Sequence, residues 1–244
     1  MSETSTLIGY NGRTIGREEL TRVPTPPATE THRPIPHHEI VQALVETLGF
    51  RHIGVVHDEY AVSPDGMKAF GVLDLETEME GCRFSIGLRN SHDKSMRLAM
   101  TCGYRVFVCS NMAFAGDFTP VLAKHSKSFS LIDCISVGVD RMQRNFEPMR
   151  KQVEIWQRSE LTDVTAKVVI YEAFVEGRLE APKHLARTVH DLYFEPKYEE
   201  FRSRTIWSLS NAFTSAFKGL EPIPQFKATA KLGEFLEARF SQSL

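Results

Sequence analysis

The sequence predicts an α+β fold: an antiparallel β-meander of about four strands packed by helices, followed by a mostly helical C-terminal half. Three observations predict it. Between residues 52 and 109 apolar residues recur with period two, in runs broken by turn residues. One stripe of helical period precedes that region and several follow it. The strand connections are short, which favours antiparallel neighbours.

Residues 1–36 read as an extended, proline-rich arm. Val23-Pro24-Thr25-Pro26-Pro27 and Arg33-Pro34-Ile35-Pro36 suit neither helix nor central strand, because proline lacks an amide donor and restricts the residue before it. Such an arm lies on the domain, on a partner subunit, or free in solvent. A helix follows, with Ile40, Val41, Leu44, Val45 and Leu48 on one face and Gly49 placed as its C-terminal cap. Residues 52–60 predict the first strand. Ser63-Pro64-Asp65-Gly66 predicts a turn. Residues 67–75, 82–89 and 104–109 predict the next three strands. The preceding helix is expected to cover one face of the sheet.

Further helices follow. Met142, Phe146, Met149, Val153 and Trp156 make one stripe, with a kink or restart predicted at Pro148. Val164, Val168, Tyr171 and Val175 make a second, expected to be core. Leu185, Val189 and Leu192 make a third, entered through Pro182. Ile206, Leu209, Phe213 and Phe217, then Leu232, Phe235, Leu236 and Phe240, complete the set. The organisation is therefore an arm (1–36), an α+β core (37–138) and a helical region (139–244) continuous with it.

A net charge of −2 excludes a strongly basic nucleic-acid coat but not a local basic face. Cys82, Cys102, Cys109 and Cys134 lack zinc-knuckle spacing. The polar N-terminus does not read as a signal peptide, and no apolar run suffices to span a membrane. Free thiols, a soluble cytoplasmic protein and no cofactor are expected.

The densest polar segment is Leu88-Arg89-Asn90-Ser91-His92-Asp93-Lys94-Ser95, between the third and fourth strands. Cys109-Ser110-Asn111 ends the fourth. Loops at strand ends are where scaffolds place function, and these two segments are expected to approach each other. The candidate ligand- or nucleic-acid-binding residues are Arg89, Asn90, Ser91, His92, Asp93, Lys94, Arg97, Arg105 and Asn111. Turn capping by Asp and Asn accounts for several of the same residues without function.

Three chemical readings compete. Ser91 and His92 are sequence neighbours on an extended chain, which points them apart, so they make no dyad. The doublets His57-Asp58, His92-Asp93 and His190-Asp191 are competent for a divalent ion, but two of them lie in strand-rich sequence. Cys109 with His92 as base requires an electropositive, partly exposed thiol.

Charge adds a fourth reading. The acidic stretch Asp74, Glu76, Glu78, Glu80 precedes Arg83, Arg89, Lys94, Arg97 and Arg105, opposed in that window by Asp93 alone. Lys124, Lys127, Arg141, Arg144, Arg150 and Lys151 follow. Phe84, Tyr104 and Phe107 offer stacking faces if exposed, the combination single-strand binders use. Burial of all three beneath a mixed-charge surface diluted by Glu147, Glu154 and Glu160 explains the same residues.

Asn90-Ser91-His92-Asp93, Tyr104 through Asn111, Tyr60 through Gly66 with Phe70-Gly71, and Thr205 through Thr214 carry a resemblance. Together they resemble a phage- and plasmid-borne family, domain of unknown function 932, from the arm to near the C-terminus. That resemblance implies DNA maintenance or host takeover and assigns no activity. The predicted architecture is also similar in outline to single-strand annealing recombinases, which implies rings in which the arm latches onto a neighbour. The expectation is a non-enzymatic binding protein of a mobile element, with single-stranded DNA as ligand. A metal-dependent phosphodiesterase or hydrolase, and a protein that binds a host factor, are the alternatives.

Overall fold

The computed structural model describes residues 13–109, 111–114, 121–123 and 130–240. Its centre is a seven-stranded antiparallel sheet: β1 (Arg13–Ile15), β2 (Val55–Val62), β3 (Lys68–Met79), β4 (Cys82–Ser91), β5 (Leu98–Val106), β6 (Met112–Phe114) and β7 (Val121–Ala123). The strands lie in chain order from β1 to β6, and β7 pairs with β5. The four expected strands are β2 to β5. The fourth begins at Leu98, six residues before the predicted start, and ends at Val106.

The β2–β3 turn forms for the predicted reason. Asp65 Oδ1 accepts from the Ser63 hydroxyl and the Met67 amide, and Gly66 takes φ +71°, a conformation that favours glycine. Gly71 is glycine for a different reason. An added Cβ would lie 2.7 Å from the ring of Tyr60, which pairs with it across β2 and β3.

Pleating gives the sheet two unlike faces. Tyr60, Leu73, Phe84, Ile86, Leu88, Met100, Cys102 and Tyr104 point to the helix-covered face and join one large core. Ala61, Phe70, Val72 and Met112 form a small apolar cluster on the opposite face. That second face also carries His57, Glu59, Asp74, Ser85, Arg89 and Arg105, as the register requires.

The large core contains residues from Ile15 to Phe240, so the predicted 138/139 boundary divides no core. It falls inside α3 (Leu131–Arg158), which packs on α2 (His37–Phe50). Helix α3 runs unbroken through Pro148, so there is no restart. The proline deprives the Arg144 carbonyl of its helical donor, a change of about 3 kcal/mol in a helix interior. Helix α2 extends past Gly49 to Phe50. The left-handed position belongs to His52 (φ +55°), with His52 N–H bonding Gly49 O and Ile53 N–H bonding Leu48 O, a Schellman ending built without glycine.

Within the predicted arm, β1 pairs with β2 and a single helical turn, α1 (Arg17–Leu20), follows. Residues 24–36 form neither helix nor strand, and within this segment His32 and Ile35 bond His92.

The remaining helices are α4 (Asp163–Phe174), α5 (Leu185–Phe194), a 3₁₀ turn (Glu199–Phe201), α6 (Ile206–Phe217) and α7 (Pro222–Phe240). Thr162 and Thr205 cap α4 and α6 by accepting from the amides three residues on. Every residue of α6 but Ser215 is buried.

Helix α4 corrects one expectation. Val164, Val168, Tyr171 and Val175 face outward, with Val164 71% exposed, while Ala166, Val169, Ile170, Ala173 and Phe174 are buried. The helix is apolar on both sides, so stripe spacing alone selected the wrong one.

Among the described residues all four cysteines are free, and no helix is long and apolar enough to cross a membrane.

Candidate nucleic-acid interface

The end of an antiparallel strand lies beside the start of the next strand, not its end. Arg89↔Ala99 and Cys82↔Val106 mark opposite ends of the β4–β5 pair. Arg89, Asn90, Ser91, His92, Asp93, Lys94 and Arg97 therefore gather at one end, whereas Arg105 and Asn111 belong to the other. The expected approach of the two polar segments does not occur. The first group is divided again by pleating, with Arg89 and Ser91 on one face and Asn90 on the other.

Asn90 and His92 hold the arm. Asn90 Nδ2 donates to Ile35 O (3.2 Å) and His37 Nδ1 (2.9 Å). His92 Nε2 donates to Ile35 O (3.0 Å), His32 Nε2 donates to His92 O (3.1 Å), and His37 Nε2 donates to Gly66 O (3.0 Å). The His37 and His92 rings stack at 3.9 Å, 7° from parallel. With His92 only 3% exposed and Asn90 2%, neither presents a surface to a ligand. Ser91 Oγ bonds Met96 O and Met96 N–H, closing the loop on itself.

Asp93 accepts from the Ser95 amide and hydroxyl and lies 3.9 Å from Lys68 Nζ. Burial opposes its ionisation, but the Ser95 and Ser91 bonds and Lys68 outweigh that and hold the carboxyl below its usual range.

At the far end, Arg105 lies in a buried charge cluster on the second face. Its Nη2 donates to Glu59 Oε1 (2.9 Å). Its Nε is 3.0 Å from Asp74 Oδ2, an ion pair by distance but off the line of a hydrogen bond. Ser85 Oγ donates to Asp74 Oδ1 (2.6 Å), and His57 Nδ1 is 3.4 Å from Oδ2. Asn111 Nδ2 donates to Asn211 O and Oδ1 on α6.

The structure does not bring together the residues of the nucleophile and metal readings. Cys109 follows β5, at the opposite end of the β4–β5 pair from His92, and burial pushes its thiol up to about 11. The His–Asp doublets diverge: Asp58 bonds Arg17 and Tyr60, while His190 and Asp191 pair with each other at the surface. No group of three or more metal-competent side chains occurs among the described residues. Of the proposed stacking faces, Phe84 and Tyr104 are buried. Phe107 is 44% exposed, with the Arg83 guanidinium 4.9 Å from its ring centre.

A smaller cationic rim remains where β3 begins and β4 ends. Lys94 and Arg97 are exposed and make no ion pair among the described residues. Lys94 has φ +66°, a conformation that costs a lysine about 1 kcal/mol or more relative to glycine. Arg89, between Phe70 and Ala99 in the register, is the unusual member. Burial lowers its pKa, and among the described residues its Nε is enclosed without an acceptor and no carboxylate pairs with it. The ring of Phe226 on α7 lies 5.9 Å from its guanidinium carbon.

Sequence reasoning missed Lys68 and Phe226. Lys68 was findable, because the hairpin register Lys68↔Ser91 brings it to this end. Phe226 belongs to a distant helix and left no local signal. Ser110, Lys124 and Lys127 lie outside the described residues.

Residues 29–230 match the family model described as Domain of unknown function (DUF932). The chain belongs to that family. No curated protein and no solved structure matches it. The matched range begins within the arm and covers both the histidine clamp and the rim, so the DUF932 domain includes the arm segment that His92 holds.

The clamp should make this DUF932 protein acid-sensitive. His92 is held below its ordinary pKa, first by burial and then by nearby His32, against the opposing Ile35 bond and Asp93. Its Nδ1 is buried without a partner among the described residues, so a second ring proton finds no acceptor there. His37, His32, Lys68 and Asp93 are the other titratable groups around it. The neutral ring contributes stability that is fully present above about pH 6.5 and is lost as pH falls through the lower folded value. Unfolding stability measured from pH 8 to 5 should fall below about 6.5, with a shallower fall in His92→Gln. Equal slopes in the two proteins would remove His92 as the cause.

Proposed function

We propose that this protein binds single-stranded DNA, in the recombination or maintenance of a mobile element, along the rim formed by Lys68, Arg89, Lys94 and Arg97. The observation that carries this reading is Arg89. A half-buried guanidinium without a carboxylate is unfavourable in the free protein, and a phosphate oxygen supplies the missing acceptor with charge-assisted geometry. The two unpaired cations of the adjoining turn extend the charge along a backbone, and Phe226 adds an aromatic face beside Arg89. Single-strand binders combine these elements. The mobile-element setting rests on the family resemblance alone. Self-association through the arm, part of the same proposal, would require the contacts of His32 and Ile35 to be exchanged between copies.

The test is fluorescence anisotropy with a labelled single strand at low salt. Binding that weakens steeply as salt rises is the expected result; absence of binding at low salt ends the proposal.

A second reading has one observation in its favour. The outward stripe Val164, Val168, Tyr171 and Val175 on α4 is an exposed apolar surface of the kind that marks protein contacts, which suits a protein that binds a host factor.

A further inference from the structure

A cavity of about 220 Å³ lies between α3, α6, α7 and the β5–β6 edge of the sheet. Two residues on its walls are poor choices for the helices that carry them. Pro148 sits inside α3 and Gly233 inside α7, and both weaken a helix interior. Close packing does not explain Gly233, since a Cβ added there would meet nothing within 4 Å. Instead it widens the cavity. Departures from local preference that bring no packing gain are expected at functional sites.

The chemistry of the walls narrows the occupant. Met149, Val153, Trp156 and Leu232 supply an apolar interior. Among the described residues no lysine, arginine or histidine lines the cavity, and Glu237 does, so an anionic group is disfavoured. Asn145 and Gln152, seven residues apart on α3, both line it. Among the described residues Asn145 uses only its Nδ2, on the Arg141 carbonyl, and Gln152 makes no hydrogen bond. Two side-chain amides with spare donors and acceptors suit the edge of a nitrogen heterocycle. The volume is below the roughly 300 Å³ at which drug-sized pockets begin, which suits one ring system without sugar or phosphate.

We propose that this cavity receives an uncharged nitrogen heterocycle of nucleobase size, presented by the bound strand. The identity of the occupant rests on the single-strand reading above; the cavity itself does not.

The experiment is saturation-transfer NMR on the full chain with each free nucleoside, with indole as an apolar control. Expected is saturation of base protons, stronger for one base than for the others, lost in Gly233→Leu and weakened in Asn145→Ala/Gln152→Ala. Should Gly233→Leu fail to fold, the double amide variant decides alone. No transfer to any nucleoside, transfer unchanged in the variants, or equal transfer to indole and every nucleoside overturns the proposal. Anisotropy with the oligonucleotide separates the two claims. Nucleoside binding without oligonucleotide binding removes the DNA reading and leaves the cavity; the reverse removes the cavity alone.

Discussion

Arg105→Ala is expected to lower unfolding stability by about 3–5 kcal/mol, read from urea denaturation. Arg105 holds Glu59 and Asp74 on the second face of the sheet, and all three side chains are nearly excluded from solvent. Removing the guanidinium leaves two carboxylates facing each other's charge with their main counter-ion gone. The network is weak evidence that ionic residues were needed for stability, because burying charges offsets much of what their attraction provides. Arg105→Met with Glu59→Gln and Asp74→Asn should therefore recover most of the loss. A single variant within 1 kcal/mol of wild type would mean that the network is open to water.

Phe213→Ala should cost about 3–5 kcal/mol. Phe213 is fully buried on α6, its ring 5.6 Å from Phe174 and 6.1 Å from Phe217. Helix α6 is enclosed on all sides, so no neighbour can move into the vacated space from the surface. The cost then includes a cavity as well as lost burial. Thermal unfolding should show a lower midpoint with one transition retained, because the chain has one large core. Two separate transitions would mean that the helical half unfolds independently.

The parts of the fold that were legible are those with a clean period. Phe84, Ile86 and Leu88 alternate without interruption, and Ser63 to Gly66 carries its own turn chemistry. The start of β5 was hidden because its second-face positions are Ala99, Thr101 and Gly103, too small and too mixed to show alternation. Strands β1, β6 and β7 are three residues each and have no period to read. Helix α4 misled because both of its sides are apolar.

At the candidate site, residue types were informative and placement was not. Asn90, His92 and Asp93 read as polar residues at a strand end, and they are that. Asp93 caps its own turn through Ser95, as local turn chemistry predicts, but the partners of Asn90 and His92, Ile35, His37 and Met67, lie 25 or more positions away in the chain, which no local pattern encodes. In the sequence Arg89 is one cation among several. Its lack of a carboxylate, the feature that separates it from Arg105, depends on which face each strand position occupies.

The central claim is that the rim, not the arm clamp or the buried charge cluster, meets the nucleic acid. The measurement that tests it is the salt dependence of single-strand affinity for wild type and for Arg89→Ala/Lys94→Ala/Arg97→Ala. Four rim cations on phosphates predict a log–log slope of about −3 for wild type, and about −0.7 with much weaker binding for the triple variant, which keeps Lys68 alone. Equal slopes and affinities in the two proteins would contradict it.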